Sequence, residues 1–125
     1  MTREHGEGAV QALVLYDGRV LLVRPDDGWE LPSGTPQPAE SAEATAARVV
    51  YELTGYLVDG TETLGAHDNA RADEAPAVVC QLLSEEPSDG ARLAPERLRW
   101  AAIADTSGTP LPRSVRTYLQ GHTPV

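Results

Sequence analysis

The sequence predicts a mixed α/β domain in which one β-sheet lies between helices, and three observations carry that reading. Residues 10–16 (VQALVLY) and 20–24 (VLLVR) are runs of branched aliphatics flanking Asp17-Gly18, a dipeptide that supplies the positive φ values of a tight hairpin turn. Between residues 39 and 54, Ala42, Ala46, Val49, Val50 and Leu53 recur at helical spacing, with no Gly or Pro among them and Gly55 as a stop. Further apolar runs follow at 77–83 and 98–103 without regular strand–helix alternation, which points to a mixed rather than an all-parallel sheet.

The remaining elements follow from local chemistry. Residues 29–31 are extended, because the residue before Pro32 is driven out of the helical region. Residues 56–58 and 61–67 read as strand material interrupted at Asp59-Gly60, and 67–75 and 84–96 as polar loops. A proline near the start of 111–119, with Val115 and Leu119 one turn apart, predicts a short final helix. A single domain is expected over 9–120, with polar tails at 1–8 and 121–125.

Nineteen acidic residues against ten basic ones give a formal charge of -9. This argues against sequence-independent nucleic-acid binding, which depends on neutralising phosphates with Lys and Arg. Small polyphosphates screened by a divalent cation remain compatible with it. Cys80 is the only cysteine, so no intrachain disulfide forms, and its place in AVVCQLL makes it a buried, inert thiol. No apolar run reaches the ~18 residues needed to cross a bilayer, and the N-terminus lacks a signal-peptide core, so no membrane partner and a cytoplasmic location are expected.

The stretch WELPSGTPQPAESAEATAARVVYELTGY, residues 29–56, resembles the signature of the Nudix hydrolase family. Gly34 takes its first glycine, Glu40 its first acid, Arg48 its arginine, Val50 its aliphatic, Glu52 the first of its paired acids and Gly55 its closing glycine. The flanking DGRVLLVR, the Arg99-Trp100 pair and LPRSV are also similar to the family, so the resemblance covers roughly residues 9–119. It implies a Nudix-like mixed β-sheet sandwiched between helices, an α/β/α sandwich. It further implies a small nucleotide-like ligand, Mg2+ or Mn2+ as cofactor if the site is active and none if it is silent, and frequent assembly as a homodimer.

The departures bear on function more than the matches do. The family's metal-binding and water-activating glutamates correspond here to Val49, Glu52 and Leu53, and a commonly acidic loop position is Gln37. Valine and leucine cannot ligate an ion, and magnesium prefers oxygen ligands. The resemblance leaves Glu52 and Arg48 as catalytic candidates and Glu52 and Glu40 as metal ligands, although regular helical spacing would point Glu40 well away from Glu52. Asp68, Asp73, Glu74, Glu85, Glu86 and Asp89 are loop acids that could substitute, each more simply read as solvated surface. Arg24, Trp29 and Gly34 are substrate-binding candidates. Against that stand an ion pair of Arg24 with Asp26 or Asp27 and core packing of Trp29. His67 is a weak acid/base candidate, and His5 and His122 lie in the tails.

Two functions follow. One is an atypical hydrolase, weak or altered in activity, acting on a nucleoside diphosphate linked to another moiety or a similar phosphoanhydride. The other is a catalytically silent module that binds a nucleotide-like or other small ligand.

Overall fold

The computed structural model describes residues 9–64, 76–84, 86–106, 108–109 and 111–121. Strands β1 (Val10–Tyr16) and β2 (Arg19–Val23) form the expected hairpin, with Tyr16 opposite Arg19 and Leu15 opposite Val20. Asp17 and Gly18 both have positive φ, 54° and 74°, the geometry that matches the right-handed twist of the two strands. Next come β3 (Ser33–Gly34), helix α1 (Ala42–Thr54), β4 (Val58–Leu64), β5 (Ala77–Leu82), β6 (Leu98–Ala102) and helix α2 (Arg113–Gln120).

The strands form one mixed sheet in the order β4-β5-β1-β2-β6, with β3 paired to the start of β1. The β1–β5 pair is parallel and the others are antiparallel. β1 is central, and Ala12, Leu13 and Val14 are fully buried because both faces of the sheet are covered. Alternation sends Ala12 and Val14 to one face, where they meet Leu21, Val78 and Cys80 with Ala46 and Val50 of α1. Leu13 goes to the other face with Val20, Leu22, Leu31 and Val79, closed by Val115 and Leu119 of α2. The expected α/β/α sandwich is the fold observed. Cys80 lies in the first of these layers, and burial, reinforced by Asp59, pushes its thiol up to about 12, as an inert core cysteine requires.

Two departures from expectation go beyond shifts of a residue or two at element ends. Asp59-Gly60 is no turn: β4 runs unbroken from Val58 to Leu64 and absorbs the irregularity as a bulge between Gly60 and Glu62 against β5. The central helix begins at Ala42 rather than at residue 39, because Ala39 has φ 66° and Ser41 acts as N-cap, its hydroxyl accepting from the Ala44 N–H. Glu40 therefore lies in the loop ahead of the helix, outside the helical register.

Candidate functional site

The site is built from the loop ahead of α1 and the exposed side of that helix. Freed from the helix, the Glu40 carboxylate folds back over it and meets the Arg48 guanidinium at two points, Nε to Oε2 at 2.9 Å and NH2 to Oε1 at 3.0 Å. Glu40 Oε1 also accepts from the Gln37 N–H and the Thr45 hydroxyl, each at 2.9 Å. Arg48 additionally donates to the Thr35 carbonyl at 2.9 Å and, more loosely, to Glu52 Oε1 at 3.3 Å. Arg48 thus pins the loop to the helix, and the planar fork of guanidinium suits that task better than an ammonium would.

Hydrogen bonds from Arg48, then from Gln37 and Thr45, hold the Glu40 carboxyl down at about 2. A depressed folded value means that the ionised pair stabilises the fold fully above the ordinary carboxyl value of 4.5, and that this contribution is lost as pH falls toward about 2. The urea midpoint of the parent is expected to fall across that acid window more steeply than that of Glu40→Gln. Parallel pH profiles for the two proteins would refute the assignment.

Glu52 is placed differently. Its side chain is 39% exposed, Oε1 faces Arg48 at 3.3 Å and Arg92 at 3.9 Å, and Oε2 has no partner among the described residues. Val49 is buried, its Cγ2 lying 2.5 Å from where a Cβ on Gly34 would stand. Gly34 therefore serves packing, since its missing side chain admits Val49 beneath β3. Among the described residues no group of three or more His, Cys, Asp or Glu side chains could hold a metal ion. Among the described residues the donor set does not fit a cation held by the protein in the family's manner: Glu40 is engaged at both oxygens, Val49 and Leu53 offer no donor, and Glu52 has no second carboxylate beside it. Asp68, Asp73, Glu74, Glu85 and the three histidines lie outside the described residues, while Glu86 and Asp89 are exposed.

A second cluster lies at the β2–β6 edge, on the α2 face. Trp29 packs on the core there, and the Arg24 guanidinium stands 5.3 Å and that of Arg99 5.7 Å from the centre of its ring. Neither arginine pairs with a carboxylate among the described residues, so the expected alternative of an Arg24 pair with Asp26 or Asp27 is not what the structure holds. Arg24 Nε is buried without a hydrogen-bond partner among the described residues, and Arg97 fixes the backbone beneath it by donating to the Arg24 carbonyl at 2.9 Å. Burial, and then Asp26, raise the neighbouring Glu30 carboxyl. The roles of Arg99 beside Trp29 and of Arg92 beside Glu52 were not legible in the sequence, because both depend on pairings between distant segments. The one available signal was strand parity, which places Arg99 on the same face as Ala101.

A sequence profile of the NUDIX domain matches residues 7–115, and the chain belongs to the Nudix family. It is 33% identical over 88 residues, 69% of this chain and 54% of the other, to a MutT-like protein of Streptomyces ambofaciens. The chain spans about half the length of the curated relatives it matches. Among solved structures, a NUDIX hydrolase from Nitrosomonas europaea superposes with a TM-score of 0.67 at 18% identity, covering 99% of this chain and 77% of that one. An ADP-ribose pyrophosphatase from Streptococcus suis superposes with a TM-score of 0.65 at 16% identity, covering 91% and 90%. These two likenesses describe the fold. No helix among the described residues is long and apolar enough to cross a membrane.

Proposed function

We propose that this Nudix domain is an atypical hydrolase that recognises a nucleoside diphosphate linked to a second moiety, or a similar phosphoanhydride, and cleaves it weakly. The observation that carries this reading is the contrast between an arginine-rich recognition cluster and a helix face with one open carboxylate oxygen. Arg24 and Arg99 flank Trp29 without acidic partners among the described residues, an arrangement suited to phosphate oxygens beside a stacked ring. The segment from Trp29 to Thr35 connects that cluster to Arg48, whose NH2 holds the Thr35 carbonyl.

Chemistry falls to Glu52, whose free Oε2 can accept a hydrogen bond from an attacking water, with Arg48 as its positioning residue. One positioned base is worth roughly 10² to 10⁴ in rate, and the family's neighbouring carboxylates are missing, so turnover is expected to be slow. The competing reading is the silent binding module. It is favoured by the burial of Val49 against Gly34, which gives one former carboxylate position to the core.

Calorimetric titration with ADP-ribose in the presence of EDTA, paired with a turnover assay in Mg2+, separates the two. The proposal expects binding that weakens about tenfold in Arg24→Ala, together with slow cleavage abolished in Glu52→Gln. Binding with no cleavage supports the silent module. Absence of binding in the parent removes both readings for this ligand class.

A further inference from the structure

The α1 face of the sheet is covered unevenly. The helix packs on β1, β4 and β5, and the β2–β6 side of the same face is left to the segment 87–95. That segment is fastened to the helix C-terminus by three backbone bonds: Ser88 N–H to the Gly55 carbonyl at 2.8 Å, Arg92 N–H to Glu52 at 2.9 Å and Leu93 N–H to Leu53 at 3.1 Å. Between it and the sheet lies a cleft of about 660 Å3, lined among others by Tyr56, Arg92, Leu93, Leu98 and Trp100. This volume is within the ~300–1,000 Å3 range of small-molecule sites.

The lining is chemically specific. Trp100 stands between two tyrosines, edge-on to Tyr16 at 6.1 Å and to Tyr56 at 5.5 Å, and packs on the α1-side core. Its Nε1–H donates to the Tyr56 hydroxyl at 3.2 Å, and the Tyr56 O–H itself has no acceptor among the described residues. Arg92 is 68% exposed, and its contact with Glu52 at 3.9 Å is longer than a hydrogen bond, so its guanidinium is available to another anion. Leu93 and Leu98 supply apolar walls.

We propose that this cleft is a second ligand site, for an aromatic ring bearing one anionic group. The ring lies against Trp100 and Leu93, while Arg92 and the Tyr56 hydroxyl donate to the anion. Asp89, also at the lining, opposes the anion and limits affinity. Trp100 and the recognition cluster around Trp29 lie on opposite faces of the sheet, and the two sites adjoin along β6 at Arg99. An occupant would compete with Glu52 for Arg92, so the cleft adjoins the functional helix without sharing its ligand.

The chain has two tryptophans, one in each site, and their indole N–H resonances report the two sites separately. Titrating the 15N-labelled full chain with phenyl phosphate is expected to shift the Trp100 resonance saturably, and to do so equally in Arg24→Ala, which weakens any response of Trp29 from its own cluster. Arg92→Gln, an exposed change, is expected to weaken the response about tenfold, and Asp89→Asn to strengthen it. The inference is overturned if Trp29 alone responds, if neither indole shifts at millimolar probe, or if the Trp100 response is the same in Arg92→Gln. Arg92→Gln tests the cleft and Arg24→Ala the cluster at Trp29, so the two proposals fail separately.

Discussion

Val49→Glu, which reinstates the family's acid after the arginine, is expected to destabilise the domain by about 3–5 kcal/mol, the usual penalty for an uncompensated buried charge. Val49 is 4% exposed and packs into the space left by Gly34. A carboxylate there either ionises without a partner or stays neutral with its affinity for protons raised, and both outcomes disfavour the folded state. Small domains are stable by only about 5–15 kcal/mol, so the variant will unfold at much lower urea. Leu53→Glu provides the control, because Leu53 is only partly buried and its substitution is expected to cost about 1 kcal/mol. Chemical denaturation of the two variants decides the matter. A Val49→Glu protein as stable as Leu53→Glu would mean that position 49 faces an open site and is not core.

Gly34→Ala is expected to cost about 1–3 kcal/mol, through a clash rather than through backbone strain. The added methyl would stand 2.5 Å from Val49 Cγ2, and a β-branched side chain in a helix has little rotamer freedom with which to yield. Val49→Ala alone leaves a void and is expected to cost about 2 kcal/mol. The double variant Gly34→Ala with Val49→Ala puts the added methyl into space vacated by Val49 Cγ2, and should cost less than the sum by at least about 1 kcal/mol. Additive costs in the double-mutant cycle would show that the two residues do not share that space. In a chain where Val49 and Leu53 stand at two of the signature's acid positions, the signature glycine at 34 serves the packing of β3 on α1.

The hairpin, the helix and its glycine stop were legible in the sequence because each depends on neighbours in the chain. Asp17-Gly18 sets its own turn, and Gly55 ends α1 at φ 84° with its N–H on the Tyr51 carbonyl. The position of Glu40 was not legible, since helical periodicity extends back to residue 39 and nothing local announces the positive φ of Ala39. Asp59-Gly60 misled for a related reason: a turn dipeptide inside a paired strand becomes a bulge when β5 supplies hydrogen bonds on either side of it. The partners of Trp29 and Trp100 rest on the β2–β6 and β4–β5 registers and on the anchoring of segment 87–95, and all of these are long-range.

The clearest test of this account is a calorimetric titration of the full chain with Mn2+, in the parent and in Glu52→Gln. With Glu40 occupied by Arg48, Val49 in the core and Glu52 alone on the helix face, the parent is expected to show no binding tighter than millimolar, and Glu52→Gln to match it. A site in the parent tighter than millimolar that disappears in Glu52→Gln would contradict the account and return the chain to the ordinary metal chemistry of its family.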